Sequence, residues 1–115
     1  MILVNKEAIT KQDVNAWYEK WEVLRGQIHE AHERRDGSAH DLMVQGIQLF
    51  EQFIITHSET EQPFSLSNDY ELMPINGMER FQFIKLRPAQ YACYRQLDEL
   101  YKETKKRCAR LRIVK

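Results

Sequence analysis

Apolar residues recur at alternating spacings of three and four along two long stretches of the chain. The first stripe follows Thr10 and comprises Val14, Trp17, Trp21, Leu24, Ile28 and Ala31. The second follows Pro88 and comprises Tyr94, Leu97, Tyr101, Thr104, Cys108 and Leu111. This spacing places one apolar stripe along a helix. We therefore predict two long amphipathic helices, the first capped by Thr10 and the second beginning near Pro88.

The most apolar segment covers residues 39–57 and predicts a helix at the centre of the fold. Asp36-Gly37-Ser38 separates it from the first helix, and Ser38 is expected to cap its start. Gly46 lies inside this segment, where glycine is a poor helix former. We expect Gly46 to mark a close contact with another helix.

A short helix is predicted between Met73 and Pro88. Asn76 is a suitable N-cap, and Glu79 has the spacing of a capping box. Pro74 keeps the preceding residue out of helical conformation, while Pro88 ends the helix near Leu86 and suits the first position of the next one. The buried side is predicted to comprise Met78, Phe81 and Ile84, with Phe83 beside them. The result is a helix–break–helix corner.

The connection over residues 58–75 is polar at first and apolar afterwards. Its apolar residues are Phe64, Leu66, Tyr70, Leu72 and Met73. They predict that the connection lies on the core. A chain of 115 residues buries about two thirds of its unfolded surface, which suffices for one core. We predict an all-α fold in a single domain over residues 1–115, an antiparallel bundle of three long helices plus one short helix.

Cysteine spacing and the lack of long apolar runs indicate a cytoplasmic protein. Cys93 and Cys108 lie on one predicted helix, about 22 Å apart at ~1.5 Å per residue, which is beyond disulfide reach. Free thiols fit a reducing compartment. The run Met1–Val4 is too short for a signal peptide, and no run approaches the roughly 18 apolar residues of a membrane span. We expect no contact with membranes.

Charge is distributed unevenly along a chain whose formal net charge is zero. Basic residues are concentrated in the C-terminal half of the last helix, at Lys102, Lys105, Lys106, Arg107, Arg110 and Arg112, followed by Lys115. They could bind nucleic-acid phosphates in a salt-dependent way. Alternatively, they complement the negative end of the helix and form the pairs Asp98–Lys102 and Glu103–Arg107. Because no aromatic residues interleave with these cations, as stacking platforms require, we do not favour nucleic acid.

Four residues are candidates for a protein-binding surface. Trp17 and Trp21 lie on adjacent turns of the first helix, and tryptophan is enriched at interface hot spots. Such rings more often belong to the core, and that alternative stays open. Arg87 and Tyr91 bracket the proline corner, where the guanidinium could bind a carboxylate or hold the preceding loop.

The histidines and cysteines form no recognised catalytic pattern. His29, His32 and His40 could meet near a helix end, but polar residues are expected there in any case, so we predict no metal and no cofactor. Zinc-binding, phosphate-loop, dinucleotide and serine-hydrolase motifs are absent from the sequence. We predict that the protein is not an enzyme.

The segment from Met73 to Tyr91 resembles the YpoC-like family, which comprises small proteins of Gram-positive bacteria. The matching residues are Pro74-Ile75-Asn76, Glu79-Arg80-Phe81, Phe83-Ile84, Arg87-Pro88 and Gln90-Tyr91. The resemblance continues more weakly toward Lys105-Lys106. It implies a helical protein, and it brings neither an assigned activity nor catalytic residues.

The function that these observations favour is protein–protein contact, either with an unknown partner or in a homodimer. The candidate surfaces are the aromatic side of the first helix and the proline corner. The alternative function is that of a nucleic-acid-associated accessory protein that uses the basic last helix.

Overall fold

In a computed structural model, which describes residues 1–113, four α-helices pack around one core. They are α1 (Lys11–Arg34), α2 (Ala39–Thr56), α3 (Gly77–Leu86) and α4 (Tyr91–Ile113). Three of these are long, with 24, 18 and 23 residues, and α3 has 10. The prediction of an all-α fold is therefore confirmed. Within residues 1–113, no helix is both long enough and apolar enough to cross a bilayer.

Consecutive helices run in opposite directions. Asp13, in the first turn of α1, faces His57, which directly follows α2, at 3.8 Å. Arg112, near the end of α4, donates a 3.0 Å hydrogen bond to the carbonyl oxygen of Ile9, just before α1. Cys93 at the start of α4 contacts Phe83 near the end of α3, whereas Arg80 near the start of α3 reaches Glu103, so α4 is antiparallel to α3. The bundle is antiparallel, as its stripes predicted.

The centre of the core is a stack of aromatic rings from α1 and α4 on a glycine of α2. Trp21 and Tyr101 stack with centroids 4.2 Å apart and planes 6° apart, and both side chains are fully buried. A Cβ on Gly46 would lie 2.8 Å from the Trp21 ring and 3.3 Å from Leu97. Gly46 therefore marks a close helix contact, which confirms the prediction.

Local capping signals set the ends of α1. The Thr10 hydroxyl accepts a 3.1 Å hydrogen bond from the Asp13 amide, as predicted. At the other end, Arg35 is left-handed (φ 54°) and its amide donates to the Ala31 carbonyl oxygen at 2.9 Å.

The prediction that the Ser38 side chain caps α2 is wrong. The Ser38 side chain makes no hydrogen bond to the helix. Instead, its hydroxyl and its amide both donate to the Asp36 carboxylate. Asp36 therefore organises the turn before α2, and these hydrogen bonds lower the pKa of its carboxyl group.

The corner before and after α3 also differs from the sequence prediction. Asn76 is left-handed (φ 55°) and its side chain makes no capping hydrogen bond, so the predicted capping box with Glu79 is absent among residues 1–113. The helix after Pro88 begins three residues later than predicted, at Tyr91. The delay arises because Gln90 donates to the Arg87 carbonyl oxygen at 3.1 Å and closes a turn first.

Residues 1–5 hold the long connection between α2 and α3 against the core. Ile2 pairs with Tyr70 and Val4 pairs with Ser58 as isolated β-bridges. Tyr70 is 2% exposed and Leu72 is fully buried, which confirms that the connection lies on the core. Leu66 is the exception among the predicted contacts, since 38% of it is exposed.

Candidate interaction surfaces

Trp17 and Trp21 belong to the core, which corrects their assignment to a candidate surface. Trp21 is fully buried and Trp17 is 5% exposed. Trp17 stacks on Phe53 at 3.9 Å, and the Trp21 indole N–H donates to the Asp98 carboxylate at 3.0 Å. The apolar stripe of α1 faces two helices at once, so both rings are covered.

The proline corner, in contrast, is exposed and rigidly built. The Arg87 amide donates to the Ile84 carbonyl oxygen at 3.3 Å, and the Gln90 amide donates to that of Arg87 at 3.1 Å. The Tyr91 ring packs edge-on against His32 at 5.3 Å but remains 47% exposed. Among residues 1–113, the Arg87 guanidinium has no hydrogen-bond or ion-pair partner. It does not hold the preceding loop, which was one of its two expected roles.

Two further apolar residues extend this corner: Leu86, which the sequence prediction missed, and Phe83, which it wrongly placed with the buried side of α3. Leu86 is 73% exposed and Phe83 is 45% exposed. They are three residues apart on α3 and therefore neighbours on one side of the helix. Their exposure follows from the burial of Phe81 and Ile84, which occupy the opposite side. We call Phe83, Leu86, Arg87 and Tyr91 the corner surface.

The basic residues of α4 do not form one continuous patch. Lys102 pairs with Asp98 at 3.2 Å and with Glu99 at 3.8 Å. The hydrogen bond to Asp98 is the main reason why the pKa of Lys102 is raised. Lys105 lies over the Tyr18 ring, 4.4 Å from its centroid. Both cations are therefore engaged on the α1 side of the helix.

Two arginines of α4 donate hydrogen bonds to backbone carbonyl oxygens of other segments. Arg107 donates from Nε to the Glu71 carbonyl oxygen at 2.6 Å, and Arg112 donates to that of Ile9. The predicted Glu103–Arg107 pair is not formed among residues 1–113. Glu103 instead accepts two hydrogen bonds from Arg80, at 3.0 and 2.7 Å. This contact lowers the pKa of Glu103 and raises that of Arg80.

Lys106 and Arg110 are the remaining basic residues of the predicted patch, and both point into solvent. With Arg107 they line one wall of an open groove of about 320 Å³. Pro74 and Ile75 line the other side, where Ile75 is 79% exposed and Pro74 is buried. Glu103 also lines the groove, and we call these six residues the basic groove. Lys115, the last predicted member of the basic segment, lies outside the described residues.

The three histidines of the candidate metal site do not converge. His29 pairs with Glu33 at 3.1 Å and His40 with Asp41 at 3.2 Å, both on the surface. His32 packs against Tyr91. Within residues 1–113, no group of three or more histidine, cysteine or acidic side chains is placed to hold a metal ion.

Neither cysteine has the environment of a nucleophile. Cys93 and Cys108 are free and buried. Desolvation raises the pKa of the Cys108 thiol to about 12, and it also raises the pKa of Cys93. Since the thiolate is the reactive form, both side chains act as core residues at neutral pH.

Comparison with known proteins identifies the family. The model of the YpoC-like protein family matches residues 11–115. The chain belongs to the YpoC-like family. It is similar to the uncharacterized protein YpoC of Bacillus subtilis (strain 168), with 57% identity over 37 residues, which cover 32% of this chain and 23% of that protein. The resemblance found in the sequence is confirmed. No solved structure matches.

Proposed function

We propose that this YpoC-like protein is a non-enzymatic cytoplasmic binding module that docks a partner protein on the corner surface. The observation that supports this proposal is the exposure of Phe83, Leu86 and Tyr91, at 45%, 73% and 47%, around the unpaired Arg87 guanidinium. Large apolar side chains grouped on a surface indicate an interaction site. Tyrosine and arginine are also enriched among the residues that contribute most to interface affinity.

The corner surface is preorganised for binding. The turn over residues 87–90 is closed by backbone hydrogen bonds, and the Tyr91 ring is braced by His32 and Tyr94 at 5.3 and 5.6 Å. A partner would therefore order few additional groups when it binds, and ordering is a major cost of association. Full burial of an apolar side chain the size of Leu86 contributes about 1.5–3 kcal/mol.

The charge of the corner favours a different protein over a second copy of this chain. A symmetric dimer centred on the corner would place the same patch of both copies in contact. Two Arg87 guanidinium groups would then approach each other, and the corner surface supplies no carboxylate to pair with them. We therefore propose a partner that presents apolar side chains together with an aspartate or glutamate for Arg87.

The test uses the full chain as bait in a lysate of its native cell. The Leu86→Glu variant should lose the partner, whereas Val23→Glu, a charge placed at a 64% exposed residue of α1, should keep it. The partner is then purified, and its direct affinity is measured for both variants. We expect Leu86→Glu to weaken binding about tenfold or more, since 1.4 kcal/mol corresponds to one decade.

Three results would overturn the proposal. One is equal binding of the partner by the Leu86→Glu and Val23→Glu variants. Another is an interface that excludes Tyr91, as shown by a photo-crosslinker placed at that position. The third is a homodimer in light scattering that Leu86→Glu disrupts, because the occupant would then be a second copy.

The alternative, nucleic-acid association, is supported by fewer cations than the sequence indicates. Four of the six basic side chains of the predicted patch contact other groups of the protein, and these are Lys102, Lys105, Arg107 and Arg112. Lys106, Arg110 and the terminal nitrogens of Arg107 remain for phosphates, which predicts weak binding and a shallow salt dependence. Steep loss of DNA binding with added salt, abolished in Lys106→Ala/Arg110→Ala, would favour the alternative.

A further inference from the structure

We infer that the basic groove is a second binding site, and that it takes an extended segment of a partner protein in which acidic and apolar residues alternate. The groove lies beside the first turn of α3, whereas the corner surface comprises its last turn and the residues that follow it. Because α3 has 10 residues, the two sites are separated by about 15 Å of helix. The inference is independent of the corner surface.

Three cations give one wall of the groove a net positive charge. Lys106, Arg107 and Arg110 line this wall together with one carboxylate, that of Glu103. Glu103 is already held by two hydrogen bonds from Arg80. A carboxylate that is paired in this way does not neutralise the three cations. The wall therefore attracts an anionic ligand.

The opposite wall exposes one large apolar side chain, that of Ile75. Ile75 is 79% exposed, the highest exposure among the large hydrophobic residues of the described chain together with Ile113. Pro74 lies next to it in the lining but is buried and adds little exposed surface. A phosphate ion alone would leave this apolar surface in water. A ligand with apolar side chains would cover it, and burial of apolar surface contributes roughly 25 cal/mol per Å².

The spacing of the cations fits an extended peptide. Lys106 and Arg110 are four residues apart on α4, which corresponds to a rise of about 6 Å. In an extended chain, side chains two residues apart point the same way and are separated by roughly 6.6 Å. Two acidic residues separated by one apolar residue would therefore meet Lys106 and Arg110. The apolar side chain between them would point to the Ile75 wall.

Arg107 is already held in place for binding a carboxylate in the groove. Its Nε donates to the Glu71 carbonyl oxygen at 2.6 Å, which fixes the position of the guanidinium. The terminal nitrogens of Arg107 have no partner among residues 1–113. A fixed guanidinium loses little conformational entropy when it binds a carboxylate. The groove therefore combines one rigid donor with two adaptable ones.

The experiment titrates the full ¹⁵N-labelled chain with three capped synthetic peptides at about 20 mM salt, where screening of charges is weak. The first peptide alternates glutamate and leucine, the second glutamine and leucine, and the third glutamate and serine. We expect the first to bind most tightly and to shift the amides of residues 75 and 103–110. Loss of either the acid or the apolar group should weaken binding.

Charge-reversal variants provide the matched control. Lys106→Glu/Arg110→Glu should weaken binding of the first peptide about tenfold or more, because both contacts become repulsive. Lys20→Glu/Arg95→Glu changes the net charge by the same amount at exposed positions outside the groove, and should bind as the wild type does. Leu86→Glu should also bind normally, so that failure at the corner surface and failure at the groove are distinguishable.

Four outcomes would overturn the inference. The first is a dissociation constant weaker than about 1 mM for the first peptide, and the second is equal weakening of its binding by both double variants. The third is a set of amide shifts that lie outside the groove. The fourth is tighter binding of a single-stranded oligonucleotide or of inorganic phosphate than of the peptide under the same conditions. The last two ligands would identify the groove as a nucleic-acid site or a simple anion site.

Discussion

The hydroxyl of Tyr101 donates a 2.6 Å hydrogen bond to the backbone carbonyl oxygen of Gly46 inside the core. The same tyrosine ring stacks on Trp21, and Gly46 leaves the space that the Trp21 ring fills. Burial raises the pKa of Tyr101 well above its usual value, so the hydroxyl stays protonated and remains a donor. This contact joins α1, α2 and α4 at one point.

Substitution of Gly46 should test the close packing of α2 against the Trp21 ring. In Gly46→Ala, the new methyl group would lie 2.8 Å from the Trp21 ring. We expect a loss of about 1–3 kcal/mol from overpacking, which exceeds the ~1 kcal/mol that alanine contributes as a better helix former.

Gly26→Ala is the matched control, because nothing lies within 4 Å of a Cβ at that exposed position. It should stabilise the protein by up to ~1 kcal/mol. Urea unfolding measures both variants. If Gly46→Ala is as stable as Gly26→Ala, the close contact between α1 and α2 is wrong.

Asp98 should matter for stability through the buried indole of Trp21. Its carboxylate accepts from the Trp21 N–H at 3.0 Å and also lies 3.5 Å from Arg25. Asp98→Ala leaves that N–H without a partner, which costs about 2 kcal/mol. Glu99→Ala removes only a contact with Lys102 at 3.8 Å on the surface and should change the free energy of unfolding by less than about 0.5 kcal/mol. Similar losses in both variants would contradict the assignment.

The Arg80–Glu103 ion pair should make stability depend on pH in the acid range. The Arg80 contact lowers the pKa of Glu103 below its usual value of 4.5 in the folded protein. The unfolded chain therefore takes up the proton first as pH falls. The stabilisation by this pair is complete above the unfolded pKa and is lost as pH falls through the folded pKa.

We expect the stability difference between the wild type and Glu103→Gln to be constant from neutral pH to about pH 5.5 and to shrink below it. Denaturant unfolding at a series of pH values measures this difference. The Arg80→Gln variant serves as the control, since Glu103→Gln should have no comparable acid-range effect in that background. A difference that persists unchanged at pH 3 would contradict the linkage.

Cys108 should react only when the protein opens. With a pKa of about 12, the fraction of thiolate at pH 8 is on the order of 10⁻⁴. In a Cys93→Ser background, alkylation of the native protein by iodoacetamide should be slow, whereas alkylation in urea should be complete within minutes. Rapid alkylation of the native protein would show that the α4 core is open to solvent.

The sequence predicts the helices well where local signals agree with the apolar stripe. Thr10 caps α1 with its own hydroxyl, and the stripe of α4 is buried at Leu97 and Tyr101 as expected. The role of Gly46 is also predicted correctly, because glycine weakens a helix interior and the close approach of a neighbouring helix compensates for that cost. The cap and the stripes depend on residues within one or two turns of each other, whereas the sequence does not show that the partners of Gly46 are Trp21 and Leu97.

Contacts between distant segments could not be predicted. Asparagine is a residue type that favours the N-cap, but Asn76 is left-handed and does not cap α3. The next residue, Gly77, is packed so tightly that an added Cβ would lie 2.5 Å from the Met73 side chain. Arg80 reaches Glu103 across 23 residues. The pattern of α1 shows which side is apolar, but it does not tell whether one helix or two will cover it.

The β-bridges of Ile2 with Tyr70 and of Val4 with Ser58 impose an order on folding during synthesis. Ile2 can pair with Tyr70 only after Tyr70 has left the ribosome. Until then, the early residues and the connection to α3 both expose their backbone groups. These pairings are non-local, so the entropy of closing a wide loop must be paid before they stabilise the chain, unlike the local contacts of α1 and α2. The residues of α1 and α2 are therefore synthesised before residues 1–5 can pair with the connection between α2 and α3.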